Sequence, residues 1–141
     1  MEKYRILPHS ADGKFRAFGA TLEEAFANAA MAVAGLMWDW ERVKQKISFS
    51  VGAQGRDLEQ LLNKFLEEIL FLLDTKNFLL GGVEDLKIEK TPDGFRLQAV
   101  FWGDEFEGHY EIFGDVKAIT YSEMKIEQSH DRWSIQVVVD M

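Results

Sequence analysis

The chain has 141 residues, of which 47% are apolar, including 11 Phe, and it has no cysteine. That length suits one domain, residues 1–141, able to bury about 70% of its unfolded surface without staples; the missing thiols exclude disulfides, thiolate zinc sites and a cysteine nucleophile. Net charge is −8, with 24 acidic against 16 basic residues, so a free-standing nucleic-acid binder, which draws its affinity from neutralising phosphates, is not expected.

In chain order, "KYRIL" reads as a short strand, "LPHSAD" (Leu7 to Asp12) as a turn, and "KFRAFG" as a second strand. "GATLEEAFANAAMAVAGLMWDW" opens with a capping box, Thr21 with Glu24, and then repeats apolar residues at Leu22, Phe26, Ala29, Val33 and Leu36. This predicts a helix from about Leu22 to Met37. "KISFSV" alternates as a strand, with Ile47, Phe49 and Val51 on one face. A second helix is expected after the N-cap Asp57, its apolar face built from Leu58, Leu61, Leu62, Phe65, Leu66, Ile69 and Leu73, with Glu59, Asn63, Lys64 and Glu67 opposite. Gly81-Gly82 is expected to mark a turn between strands, because no phosphate-binding pattern or helix start follows it.

"LKIEKTPDGFRLQAVFW" is a hairpin around Pro92-Asp93-Gly94. "VKAITYSEMKIE" and "RWSIQVVVDM" are further strands, the last with Trp133, Ile135, Val137 and Val139 on one face. Two helices among alternating strands predict an α+β class, a mostly antiparallel sheet system packed against the helices. No apolar run approaches the roughly 18 residues of a membrane span, and the first ten positions lack a signal peptide's apolar segment, so a soluble cytoplasmic protein is expected.

Asp12 sits in a turn, where an Asx-type bond from its carboxylate to its own backbone is the plain reading. Asp140 ends the last apolar strand, and Met141 follows with a terminal carboxylate. If that strand runs beside the first two, these negative groups converge, and close carboxylates need a proton or a cation between them. An all-oxygen donor set favours a hard cation such as Ca²⁺ or Mg²⁺, with water filling the remaining positions. His9 is a candidate ligand, general base or capped turn residue; His109 and His130 share no ligand spacing. Ser10 lacks the elbow that exposes a nucleophilic serine. Lys117 is a lone base in an apolar strand, facing solvent or balancing nearby carboxylates. Trp38 and Trp40, rimmed by Asp39 and Glu41, form a candidate partner anchor if exposed.

Taken together, the order of features resembles the archease family. The motifs are His9-Ser10-Ala11-Asp12, Phe18-Gly19, Thr21 to Ala30, Asp57 to Phe71, Lys117 to Met124, and Val137 to Met141. The resemblance implies a non-catalytic accessory protein that activates an RtcB-type tRNA-splicing ligase, promoting GTP-dependent guanylylation and multiple turnover. It also implies links to a tRNA cytosine methyltransferase. It places a divalent cation, Ca²⁺ first with Mg²⁺ or Mn²⁺ as alternatives, on Asp12, Asp140 and Met141, with His9 and Lys117 as supporting groups. The chain departs from the family at Gly13-Lys14, where relatives carry apolar residues and where Lys14 brings positive charge near the site, and at Ser122, where many relatives carry His. Two other readings stand beside the activator: a small metal-dependent hydrolase using the same two aspartates, and a chaperone-like binder using surface aromatics.

Overall fold

The computed structural model describes residues 2–8 and 12–141. In chain order the elements are β1 (Tyr4–Leu7), β2 (Gly13–Gly19), α1 (Leu22–Gly35), a 3-10 turn (Trp40–Arg42), β3 (Ile47–Gly55), α2 (Leu58–Lys76), β4 (Phe78–Thr91), β5 (Gly94–Glu105), β6 (Ala118–Ile119), β7 (Lys125–Gln128) and β8 (Trp133–Asp140). They form two antiparallel sheets. One runs β1-β2-β8, with β6 and β7 both against the far edge of β8; the other runs β3-β5-β4. This is the expected α+β architecture.

The helices begin where side chains can replace missing backbone partners. Thr21 accepts from Glu24 N at 3.1 Å, and Glu24 reaches back to Ala20 N at 3.2 Å. Asp57 accepts from Gln60 N, and Gln60 in turn from Arg56 N, both at 2.8 Å. α1 is rich in small residues and buries Ala25, Ala29, Ala30, Ala32 and Ala34 completely, which lets it sit close against β2 and β4. It ends at Gly35, before the expected Met37, because the N–H groups of Met37 and Trp38 both turn back onto Ala34 O at 2.9 Å. α2 ends at Asn77, whose φ of 52° is the left-handed cap that Asn tolerates.

Phe65 of α2 lies 6.2 Å from Phe26 of α1 and 5.5 Å from Phe101 of β5, ring centre to ring centre, so one aromatic column joins both helices to the three-stranded sheet. Each such side chain contributes about 3 kcal/mol by leaving water.

Three expectations change. Asn63, expected on the polar face of α2, is buried and donates to Ile119 O at 3.2 Å, tying α2 to β6. Gly81-Gly82 is not a turn but an irregularity inside β4, where pairing with β5 shifts between Leu80 and Gly82. A side chain there would press on Val43 and Gln45, so glycine is needed for the close approach of the preceding loop. The single strand expected over "VKAITYSEMKIE" is broken into β6 and β7 by a turn, because Glu123 adopts a φ of 54°.

Candidate functional site

The pairing of β2 with β8 decides where the acidic residues meet. Its register runs from Gly19↔Trp133 to Gly13↔Val139. Asp12 and Asp140 are the next residues beyond that last pair, at the same end of the sheet. On the other side of β8, Ala118 pairs with Asp140, and Lys117 N donates to Asp140 O at 2.8 Å. Asp12, Lys117, Asp140 and Met141 therefore share one end of the five-stranded sheet. Asp12 is half-buried, whereas Lys117 and Asp140 are exposed. His9 and Ser10 lie outside the described residues.

Gly13 makes this corner compact. A Cβ there would stand 2.8 Å from Met141 Sδ and 2.9 Å from Val139 Cγ2. The Met141 side chain thus folds back over β2, towards Gly114, whose own missing Cβ leaves room for it and for Leu36 O. Close packing here holds Met141 against the sheet end.

Lys14 lies next to this corner along β2. Its ammonium is drawn sideways to Glu123 Oε1 at 3.1 Å, with the Lys14 side chain only 19% exposed. Gln136, 5% exposed, accepts from Arg16 Nη2 at 2.7 Å and donates to Glu123 O at 2.9 Å. The left-handed backbone of Glu123 costs about 1 kcal/mol for a residue with a Cβ, and these bonds hold it in place.

Among the described residues no group of three or more His, Cys, Asp or Glu side chains is gathered for a metal. The corner's donors are two carboxylates, with main-chain oxygens beside them. That set is all oxygen and suits a hard, water-rich cation better than a soft or tetrahedral one.

A cleft of about 960 Å³ opens elsewhere, lined by residues that include Trp38, Arg42, Lys44, Lys46, Asp104 and Tyr110. Its lining contains neither Asp12 nor Asp140, so the deep pocket that a hydrolase needs beside its cation is not this one. Its Asp104 carboxylate is taken up by neighbouring donors. Tyr110 donates to Asp104 Oδ2 at 2.7 Å, and Glu105 N donates to Oδ1 at 2.9 Å. The Tyr110 bond, with help from Glu105 N, Lys46 and Lys44, holds the Asp104 carboxyl below its ordinary range against the opposing effect of burial. The Tyr110 phenol is pulled down by Lys44 N–H, but burial and the Asp104 charge outweigh this and raise it. Sequence patterning gives no sign of this pair, because it bridges a strand end and an irregular loop.

Trp38 is not an exposed anchor. It is 1% exposed, and its indole donates to Leu80 O at 2.9 Å. Trp40 is half-buried, bonded to Tyr4 Oη at 2.8 Å, with the Lys3 ammonium 4.9 Å over its ring. Large apolar side chains left in solvent include Met141 at the corner and Phe113 at the cleft. Phe113 N donates to Met37 O at 2.9 Å, which seats this segment beside the end of α1. Lys117 also borders a shallow groove with Lys64, Glu67, Glu68 and Phe71. Burial, then the neighbouring Glu67, raises the Glu68 carboxyl.

The fold is that of a small α+β protein with two antiparallel sheets, two aspartates lying near one sheet end. The chain belongs to the archease family: the model of the Archease protein family (MTH1598/TM1083) matches residues 4–141. A protein archease of Pyrobaculum neutrophilum is 41% identical over 140 residues, 98% of this chain and 95% of its own length. One of Thermococcus gammatolerans is 40% identical over the whole of both chains. The solution structure of Methanobacterium thermoautotrophicum protein 1598 superposes with a TM-score of 0.86 at 30% identity, covering 100% of both chains. A crystal structure of an archease, possible chaperone, from Thermotoga maritima shares the fold, with a TM-score of 0.58 at 18% identity over 96% of this chain and 94% of its own. No helix of the described residues is long and apolar enough to cross a membrane.

Proposed function

We propose that this chain is a non-catalytic accessory protein that activates an RtcB-type tRNA-splicing RNA ligase, promoting its GTP-dependent guanylylation and repeated turnover. Family membership supports the class of function. What supports the site is the β2–β8 register, whose last pair, Gly13↔Val139, leaves Asp12 and Asp140 one residue beyond it, with Met141 packed against Gly13. In this reading Asp12, Asp140 and a main-chain oxygen of Met141 hold a divalent cation, Ca²⁺ first. The cation would supply positive charge that polarises or bridges anionic oxygens.

The chain's own residues do the rest. Gly13 admits Met141, the β6–β8 pairing holds Asp140, and Lys117 stands at the same end as a cation for anionic groups on the partner. A net charge of −8 favours docking against the basic mouth of an enzyme that handles RNA. The test is reconstitution with the cognate ligase and GTP. Asp12→Ala is expected to leave thermal unfolding unchanged while guanylylation and multiple-round ligation fall to the level without this protein. Undiminished stimulation by that variant would remove the site from the mechanism.

An aromatic left in solvent favours a second reading, a chaperone-like binder that keeps a tRNA methyltransferase soluble. Phe113 is 58% exposed, and it takes the place of the buried Trp38 as the side chain to examine. The Thermotoga maritima archease is itself called a possible chaperone. Phe113→Ser is expected to weaken methyltransferase pull-down while sparing ligase stimulation. The reverse result would favour the ligase alone.

A further inference from the structure

We infer that the cleft lined by Arg42, Lys44 and Lys46 binds a nucleoside polyphosphate, its phosphates on those cations and its base against Phe113. The inference stands apart from the cation reading above, because Asp12, Asp140 and Met141 take no part in the lining. Between the 3-10 turn and β3 the chain reads Arg42-Val43-Lys44-Gln45-Lys46. Val43 is buried, and a Cβ at Gly81 would meet its Cγ1 at 3.0 Å; a Cβ at Gly82 would meet Gln45 Nε2 at 2.9 Å. Val43 and Gln45 thus lie on the bare glycines of β4, and the alternate residues, all cationic, line the cleft. Alternate residues of an extended chain are roughly 7 Å apart, so the three charges form a row rather than a point. The backbone holds that row in place: Val43 N donates to Trp40 O at 3.1 Å, Lys44 N to Tyr110 Oη at 3.2 Å, and Lys46 N to Gly103 O at 2.9 Å.

The acids of the cleft do not cancel the row. Asp104 accepts from Tyr110 and from Glu105 N. Asp39 accepts from Glu41 N, and its other oxygen is 3.8 Å from Nε of Arg42, which is 84% exposed. Lys44 and Lys46 have no ion pair among the described residues. Glu111 is the remaining acid in the lining, and His109 and Phe113 come from the same loop. A cleft of about 960 Å³ has the size of a small-molecule site. Lysines beside phosphates act as point charges, and an exposed aromatic face, here that of Phe113, stacks a base whatever its identity. Cleft size and the net charge of −8 together select a mononucleotide over a strand, whose further phosphates would meet the acidic surface outside the cleft.

The experiment titrates the full chain with GTP, ATP and inorganic triphosphate by calorimetry, in EDTA so that no divalent cation contributes. GTP and ATP are expected to bind within about threefold of each other, because stacking tolerates either base. Lys44→Gln and Lys46→Gln are each expected to weaken both nucleotides about tenfold, the loss of one charge-assisted contact. Lys64→Gln, an exposed lysine of the other groove, is expected to change nothing. Phe113→Leu is expected to weaken the nucleotides about fivefold and inorganic triphosphate not at all, since only the nucleotides carry a base. No GTP binding at millimolar concentration would overturn the inference, as would binding that survives the loss of both lysines. Equal weakening of GTP and triphosphate by Phe113→Leu would overturn the place of the base. A short single-stranded RNA that binds about tenfold more tightly than GTP, with the same dependence on the lysines, would make the ligand a strand and overturn the mononucleotide.

Discussion

Two regions of this molecule hold carboxylates among cations, and they use them differently. In the cleft, Asp104 is taken up by Tyr110 and Glu105 N–H, and nearby Lys44 and Lys46 favour its charge. Those bonds tie β5 to the loop that follows it. At the sheet end, the exposed side chain of Asp140 makes no hydrogen bond or ion pair with the described residues, while its backbone is held by β6 and by Lys117 N–H. Asp104 is thus used inside the protein, whereas the Asp140 carboxylate takes no partner among the described residues.

The comparison can be broken most forcefully in β5, one residue before Asp104. Gly103 pairs with Leu80 and Ile47, and a Cβ there would run into the Leu79 carbonyl and the Phe78 ring. Backbone cannot step aside as a side-chain tip can, so Gly103→Ala is expected to cost about 3 kcal/mol or more in urea unfolding. A cost below about 1 kcal/mol would show that β4 and β5 yield more easily than their register suggests.

Tyr110→Phe probes the same cleft more gently. It removes one charge-assisted bond and is expected to cost about 1.5 kcal/mol at neutral pH. Because Asp104 is lowered in the folded protein, the stability that it contributes is complete above its ordinary value of 3.8 and lost as pH falls through the lower folded value. The difference between wild type and Tyr110→Phe should therefore shrink in acid. A difference that persists well below about pH 3 would assign the effect to packing.

The smallest effect on stability belongs to the corner. Asp140→Asn is expected to shift unfolding by no more than about 0.5 kcal/mol, as exposed surface changes do, while abolishing ligase stimulation. Marked destabilisation by Asp140→Asn would make the corner structural, and the contrast between the two regions would disappear.

Local signals in the chain were strong enough to set the helices and most strands. Thr21 and Asp57 cap as their spacing requires, the aromatic and aliphatic faces bury as their periods require, and Pro92-Asp93-Gly94 marks the hairpin. These are short-range matters of dihedral preference and solvent exclusion, complete within a few turns of chain. Where local patterning misled, a distant partner was the cause. Asn63 is buried because Ile119, 56 residues on, offers it a carbonyl. Gly81-Gly82 lies within a strand because Val43 and Gln45 press against it. Composition also set the acidity and excluded thiolate chemistry.

Only the tertiary structure could decide which strand ends lie together and which acid Lys14 reaches. Gly13 and Val139 pair through strand register, with Asp12 and Asp140 one residue beyond, and Lys14 finds Glu123 through a turn bent at one left-handed residue. Pairing register and long-range charge depend on the whole chain having closed up, and no window of sequence contains both partners.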